Sequence, residues 1–192
     1  MVFVSVVANI IVIVIHKDDH WEIMRGDLHT LKKVCKYASV VMLLGEIAFA
    51  VLTAAVLIMG AMALNDAGIR EKFCNLIKCG SSDLSLTAGM LEIALIFVAM
   101  FITVKMIHDI MMSIQKEHSP FVIENADRLK IVSMTFLVSS VPLTLLDFLN
   151  RADDIIAICI FLVCILICVV LYCMTIVFRY GCMLQTESDH TL

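Results

Sequence analysis

Four stretches of this chain carry some twenty or more successive residues with almost no charge, and that is the length a helix needs to cross a lipid bilayer. A hydrocarbon core of ~30 Å at 1.5 Å rise per residue takes ~20 residues. The stretches run Tyr37–Ala63, Leu86–Met112, Ile131–Leu149 and Ile155–Phe178. The third is the weakest, because Pro142 removes a backbone donor in its middle. Ser139 and Ser140 lie within a turn before that proline and can satisfy the freed groups, as membrane helices allow. Composition supports the same reading. Of 192 residues, 61% are hydrophobic and 17% charged, and the mean hydropathy is +1.01. A soluble domain has roughly 45–50% apolar and about 25% charged residues. A formal net charge of −4 offers no basic surface for direct nucleic-acid binding.

The distribution of Lys and Arg sets the orientation. Lys17, Arg25, Lys32, Lys33 and Lys36 precede the first stretch; Lys116, Arg128 and Lys130 fall between the second and third; Arg179 follows the fourth. The opposite side carries Arg70, Lys72, Lys78 and Arg151. The excess places residues 16–36, 113–130 and 179–192 in the cytoplasm. Short links favour antiparallel neighbours, and the four-residue link Arg151–Asp154 makes the last two spans a helical hairpin. The expected fold is an all-α, four-transmembrane-helix up-down bundle over residues 37–192. Residues 1–36 form an apolar segment and a cytoplasmic lead-in. The opening run VFVSVVANIIVIVI is either a short fifth span or an element at the interface; as a helix it reaches only ~21 Å, and it lacks the features of a cleaved secretory signal.

Ionisable groups at membrane depth are costly unless paired or hydrated. Glu46 sits ~13 Å into the first span and Lys105 ~11 Å into the second, both counted from the cytoplasmic end. Their similar depth on antiparallel helices predicts an intramembrane charge pair. Glu92 and Asp147 lie toward the outer ends of spans two and three, where interfacial solvation is the simpler expectation and a polar crevice the other. His108 and Asp109 close the second span, where a helix C-terminus favours a protonated His.

Cys74 and Cys79 fall in the external link EKFCNLIKC, close enough to form a disulfide on an oxidising side. Cys159, Cys164, Cys168 and Cys173 are spread around the fourth span and read as packing residues, with Cys35 and Cys182 juxtamembrane. His16 and His20 in HKDDH have the spacing of a weak two-ligand metal site. The chain contains no C-x-x-C, H-E-x-x-H, G-x-S-x-G, Walker or dinucleotide motif. No enzyme activity, cofactor or metal is expected.

The most patterned polar sequence is HSPFVIENADRLKIV, entering the third span. Its helix starts either at Ser119 with Pro120 in the first turn, or at Glu124–Asn125, whose acidic group suits the helix dipole. The tail FRYGCMLQTESDHTL leaves the fourth span at Arg179, with Gly181 permitting a bend and Glu187 and Asp189 near the end. A contact between those acids and Arg128 or Lys130 is one expectation; two separately solvated segments are the other.

At these two segments the chain resembles a bacterial domain-of-unknown-function family of small four-span inner-membrane proteins. Pro120, Phe121, Glu124, Asn125, Arg128 and Leu129 match its link, PF-x-x-E-N-x-x-R-L. Arg179, Gly181, Leu184, Glu187, Asp189, Thr191 and Leu192 match its tail, R-x-G-x-x-L-x-x-E-x-D-x-T-hydrophobic. The resemblance covers residues 37–192 and implies four spans with cytoplasmic ends. Such proteins are often encoded beside a small helix-turn-helix regulator, so it also implies a regulator as partner. The expected function is therefore non-enzymatic: a membrane partner or sensor acting through its cytoplasmic link and tail. The alternative is a small transporter, exporter or channel subunit with a polar path at Glu46 and Lys105. Either form can assemble as a homo-oligomer.

Overall fold

A computed structural model describes residues 23–80, 82–117, 121–151 and 154–190. All regular structure among them is helical: α1 (Ile23–Ala63), α2 (Ala67–Ile77), α3 (Asp83–Glu117), α4 (Ile123–Arg151) and α5 (Asp154–His190). Four of these hold segments long and apolar enough to cross a membrane, Lys32–Ala63, Asp83–Lys116, Ile123–Asn150 and Ile155–Glu187. The chain is an all-α, multi-pass bundle of the kind its apolar segments require. Each long helix overshoots its apolar stretch. Hydropathy marks only the part that must sit in hydrocarbon, whereas backbone hydrogen bonding carries the helix past it. The apolar run at residues 2–15 and the His16/His20 pair lie outside the described residues.

Packing follows chain order: α1 lies along α3, α3 along α4 and α4 along α5, with α2 against the end of α1. Lipid offers no hydrophobic drive between helices, so close contact depends on small residues and interhelical hydrogen bonds. Gly60 of α1 is such a residue, since a Cβ there would overlap the Met90 side chain of α3. Between α4 and α5, the fully buried Ser133 donates through Oγ to the Cys168 carbonyl at 3.0 Å. Cys164 and Cys168 are buried, while Cys159 and Cys173 are exposed, as four cysteines distributed around one helix must be.

Helix α2 lies within the link between the first two apolar stretches. Asp66 caps it by accepting from Gly68 N at 2.7 Å and Ile69 N at 3.3 Å, and Lys78 ends it in the left-handed region at φ 54°. Phe73 and Ile77 bury one face against Ala63 and Leu86, and Arg70 pairs with Asp83 at the start of α3. Helix α4 begins at Ile123, within a residue or two of the second of the two expected starts; Ser119 and Pro120 are outside the described residues. It continues through Pro142, with Ser140 Oγ donating to the Leu137 carbonyl at 2.7 Å. Gly181 lies inside α5, which continues as helix to His190.

Candidate functional site

Polar groups collect at three levels of the bundle. The first lies between α1 and α3 within the apolar region. Glu46 Oε1 accepts from His108 Nδ1 at 2.7 Å, and the two side chains are only 14% and 20% exposed. This corrects the expected Glu46–Lys105 pair. The two residues stand at a similar level, since Gly45 faces Val104, but helical side chains lean toward their own N-terminus. On antiparallel helices Glu46 therefore leans toward the tail end of the bundle, and His108 leans back to meet it. Lys105 also stands ~100° round α3 from Val104, the residue that faces Gly45 of α1. Its side chain is exposed instead. One to two turns nearer the tail end, Gln115 Nε2 donates to Ser39 Oγ at 3.4 Å, closing the α1–α3 seam.

The second level joins the two patterned segments, link and tail. Asn125, fully buried, accepts through Oδ1 from Arg128 Nη1 at 2.7 Å. The same Nη1 donates to the Asp109 carbonyl of α3 at 3.2 Å. Leu129 packs on a cluster of Cys35, Ile110 and Ile114, so the start of α4 is held to both α3 and α1. Phe121 lies against Phe178 with ring centroids 5.6 Å apart. Its ring occupies the space that a Cβ at Gly181 would need. Arg179 Nη2 donates to Asp127 Oδ1 at 2.8 Å. The tail-to-link contact therefore exists with its charges reversed: the tail supplies the cation and the link the acid. Arg128 is taken up by Asn125 and the Asp109 carbonyl. Glu124 is exposed in the first turn of α4. Leu184 and Glu187 are exposed on the tail helix, and the side chain of Asp189 lies outside the described residues, as do Thr191 and Leu192.

The third level sits at the α2 end. Glu92 and Asp147 are 3% and 0% exposed, so neither is solvated at an interface. Asn150 Nδ2 donates to Glu92 Oε2 at 3.0 Å. Ser85 Oγ donates to the Asn150 carbonyl at 2.7 Å and accepts from Gly80 N at 2.7 Å. Sequence reading missed Ser85 and Asn150. Their signal was a polar residue within the terminal turn of each of two adjoining helix ends, Ser85 at the start of α3 and Asn150 at the close of α4.

Cys74 and Cys79 are both free thiols, with Cys79 Sγ donating to Cys74 Sγ at 2.8 Å. Burial first, and then the hydrogen bond to Cys74, push the Cys79 thiol up to about 12. At neutral pH Cys79 is thus a protonated thiol and a poor nucleophile. Diamide treatment of the folded protein is expected to convert this pair to an intramolecular disulfide, read by mass spectrometry of the intervening peptide. Cys79→Ser should abolish the product, and its persistence in that variant would show that other cysteines are reacting. Among the described residues no three His, Cys, Asp or Glu side chains gather in a metal-binding group. No family model matches the chain, and no curated protein or solved structure matches it significantly.

Proposed function

We propose that this chain is a non-enzymatic inner-membrane protein that works as a membrane-anchored dock, with the link at residues 121–130 and the helical tail at 179–190 forming one cytoplasmic surface for a protein partner. The observation that carries the reading is the union of the two segments: Phe121 on Gly181 and Phe178, and Arg179 on Asp127. Two polar segments that needed only to be soluble would have no use for a glycine cut to fit an aromatic ring. Beside this junction a groove of about 520 Å³ is lined by Ile123, Arg179, Cys182, Met183, Thr186 and Glu187. Tyr180, Met183 and Leu184 stand exposed on the same helix, which suits a helical partner laid along it. The family resemblance names the partner as a small helix-turn-helix regulator.

The transport reading needed a polar path through Glu46 and Lys105. Glu46 is bound to His108 and Lys105 points outward, so the docking reading is preferred. Co-expression of the full chain with the neighbouring regulator, followed by detergent purification, is expected to retain the regulator. Gly181→Leu, which displaces Phe121, and removal of residues 179–192 should each release it while the melting temperature of the bundle changes little. Retention by both variants, or none by the parent chain, overturns the reading.

A further inference from the structure

Lys105 is an exposed cation on a membrane-spanning helix, and neither it nor Lys130 has an ion-pair partner among the described residues. Lys130 stands at the mouth of a groove, and Lys105 lies about one turn beyond Ile102, the last α3 residue to line it. On one side of the α3–α4 pair a cleft of about 640 Å³ runs between Leu95, Val98 and Ile102 of α3 and Ile131, Met134 and Val138 of α4. Asp127 and Lys130 line its tail end. Positions 95, 98, 102 and 105 recur at helical spacing, so Lys105 continues the α3 wall beyond the apolar part. The register is fixed by Arg128 on the Asp109 carbonyl at one end and Ser85 on the Asn150 carbonyl at the other. It sets the backbones of Lys105 and Lys130 at the same level on adjacent helices, and the flexible lysine stem lets each amine turn to the headgroups.

The cleft extends along α4 from Asp127 to Ser139, roughly 18 Å at 1.5 Å per residue. Half a bilayer core is ~15 Å. It is therefore apolar over the reach of one acyl chain, opens sideways to lipid, and ends in two amines where a chain meets its headgroup. The acid at the mouth does not cancel them, since Asp127 is engaged by Arg179 at 2.8 Å. We propose that the α3–α4 cleft is a binding site for one anionic glycerophospholipid, its phosphate held between Lys105 and Lys130 and an acyl chain lying along the cleft. Basic pockets between membrane helices select anionic headgroups in this way. The site does not depend on the docking reading and would exist without any protein partner.

Native mass spectrometry of the full chain, with phosphatidylglycerol and phosphatidylcholine of identical chains supplied at equal concentration, tests the site. One phosphatidylglycerol per chain is expected to be retained in preference. Lys105→Gln with Lys130→Gln should reduce that preference on the order of tenfold, given two lost lysine contacts. Val98→Trp, which fills the cleft from its wall, should lower retention of both lipids. Lys72→Gln with Lys78→Gln, at the opposite end, should leave the preference as it was. Equal retention of the two lipids by the parent chain overturns the proposal. So does an unchanged preference in the Lys105/Lys130 variant, or an equal loss in the Lys72/Lys78 control.

Discussion

His108→Leu is expected to destabilise the bundle by about 3 kcal/mol, the scale for removing one partner of a buried ion pair. The substitution keeps the volume but leaves the Glu46 carboxylate at membrane depth without the donor 2.7 Å away. Glu46→Gln should cost less, since an amide carbonyl still accepts from the imidazole. Replacing both residues by Leu should recover most of the stability, the expected coupling between groups in direct contact. Lys105→Gln should change stability by no more than ~0.5 kcal/mol, as for other exposed positions. Chemical unfolding in detergent micelles measures all four. A Lys105 effect as large as that of His108 would place the charge pair where depth alone puts it.

The contrast between these residues shows what could be read from the sequence. The spans were legible because some twenty residues with so few charges have no soluble alternative. The depth of Glu46 was legible because rise per residue is constant. Its partner was not, because choosing between Lys105 and His108 requires the lean of side chains toward the helix N-terminus and the face that α3 turns to α1. Helix α2 was hidden by hydropathy but carried its own signature, an Asp66 cap followed by Ile69, Phe73 and Ile77 at i, i+4 and i+8. That is the pattern of an amphipathic helix lying on the end of a bundle. In the link and tail, counting acids in the tail against bases in the link suggested Glu187 and Asp189 with Arg128 or Lys130, or no contact at all. The structure shows a pair that this count does not contain, Arg179 with Asp127, beside Phe121 seated on Gly181. Contacts across two helices depend on register, and no single sequence states its register.

Register is also what the α2 end enforces, which makes Asn150 the second sensitive position. Its amide donates to Glu92 at 3.0 Å, and its backbone carbonyl accepts from Ser85, which in turn accepts from Gly80 N. One residue of α4 thereby ties α3 and the segment leaving α2. Asn150→Leu keeps the size but removes a hydrogen bond to a buried acid, and a loss of about 2–3 kcal/mol is expected. Asn150→Asp is the sharper variant, because it sets a second carboxyl against Glu92. It removes the donor to a buried acid and adds a like group beside it, so a loss larger than that of Asn150→Leu is expected. The exposed Asn75→Leu should be nearly silent. An Asn150→Asp protein as stable as the parent would mean that Glu92 is not held against Asn150, and the α2 end would then need another source of its register.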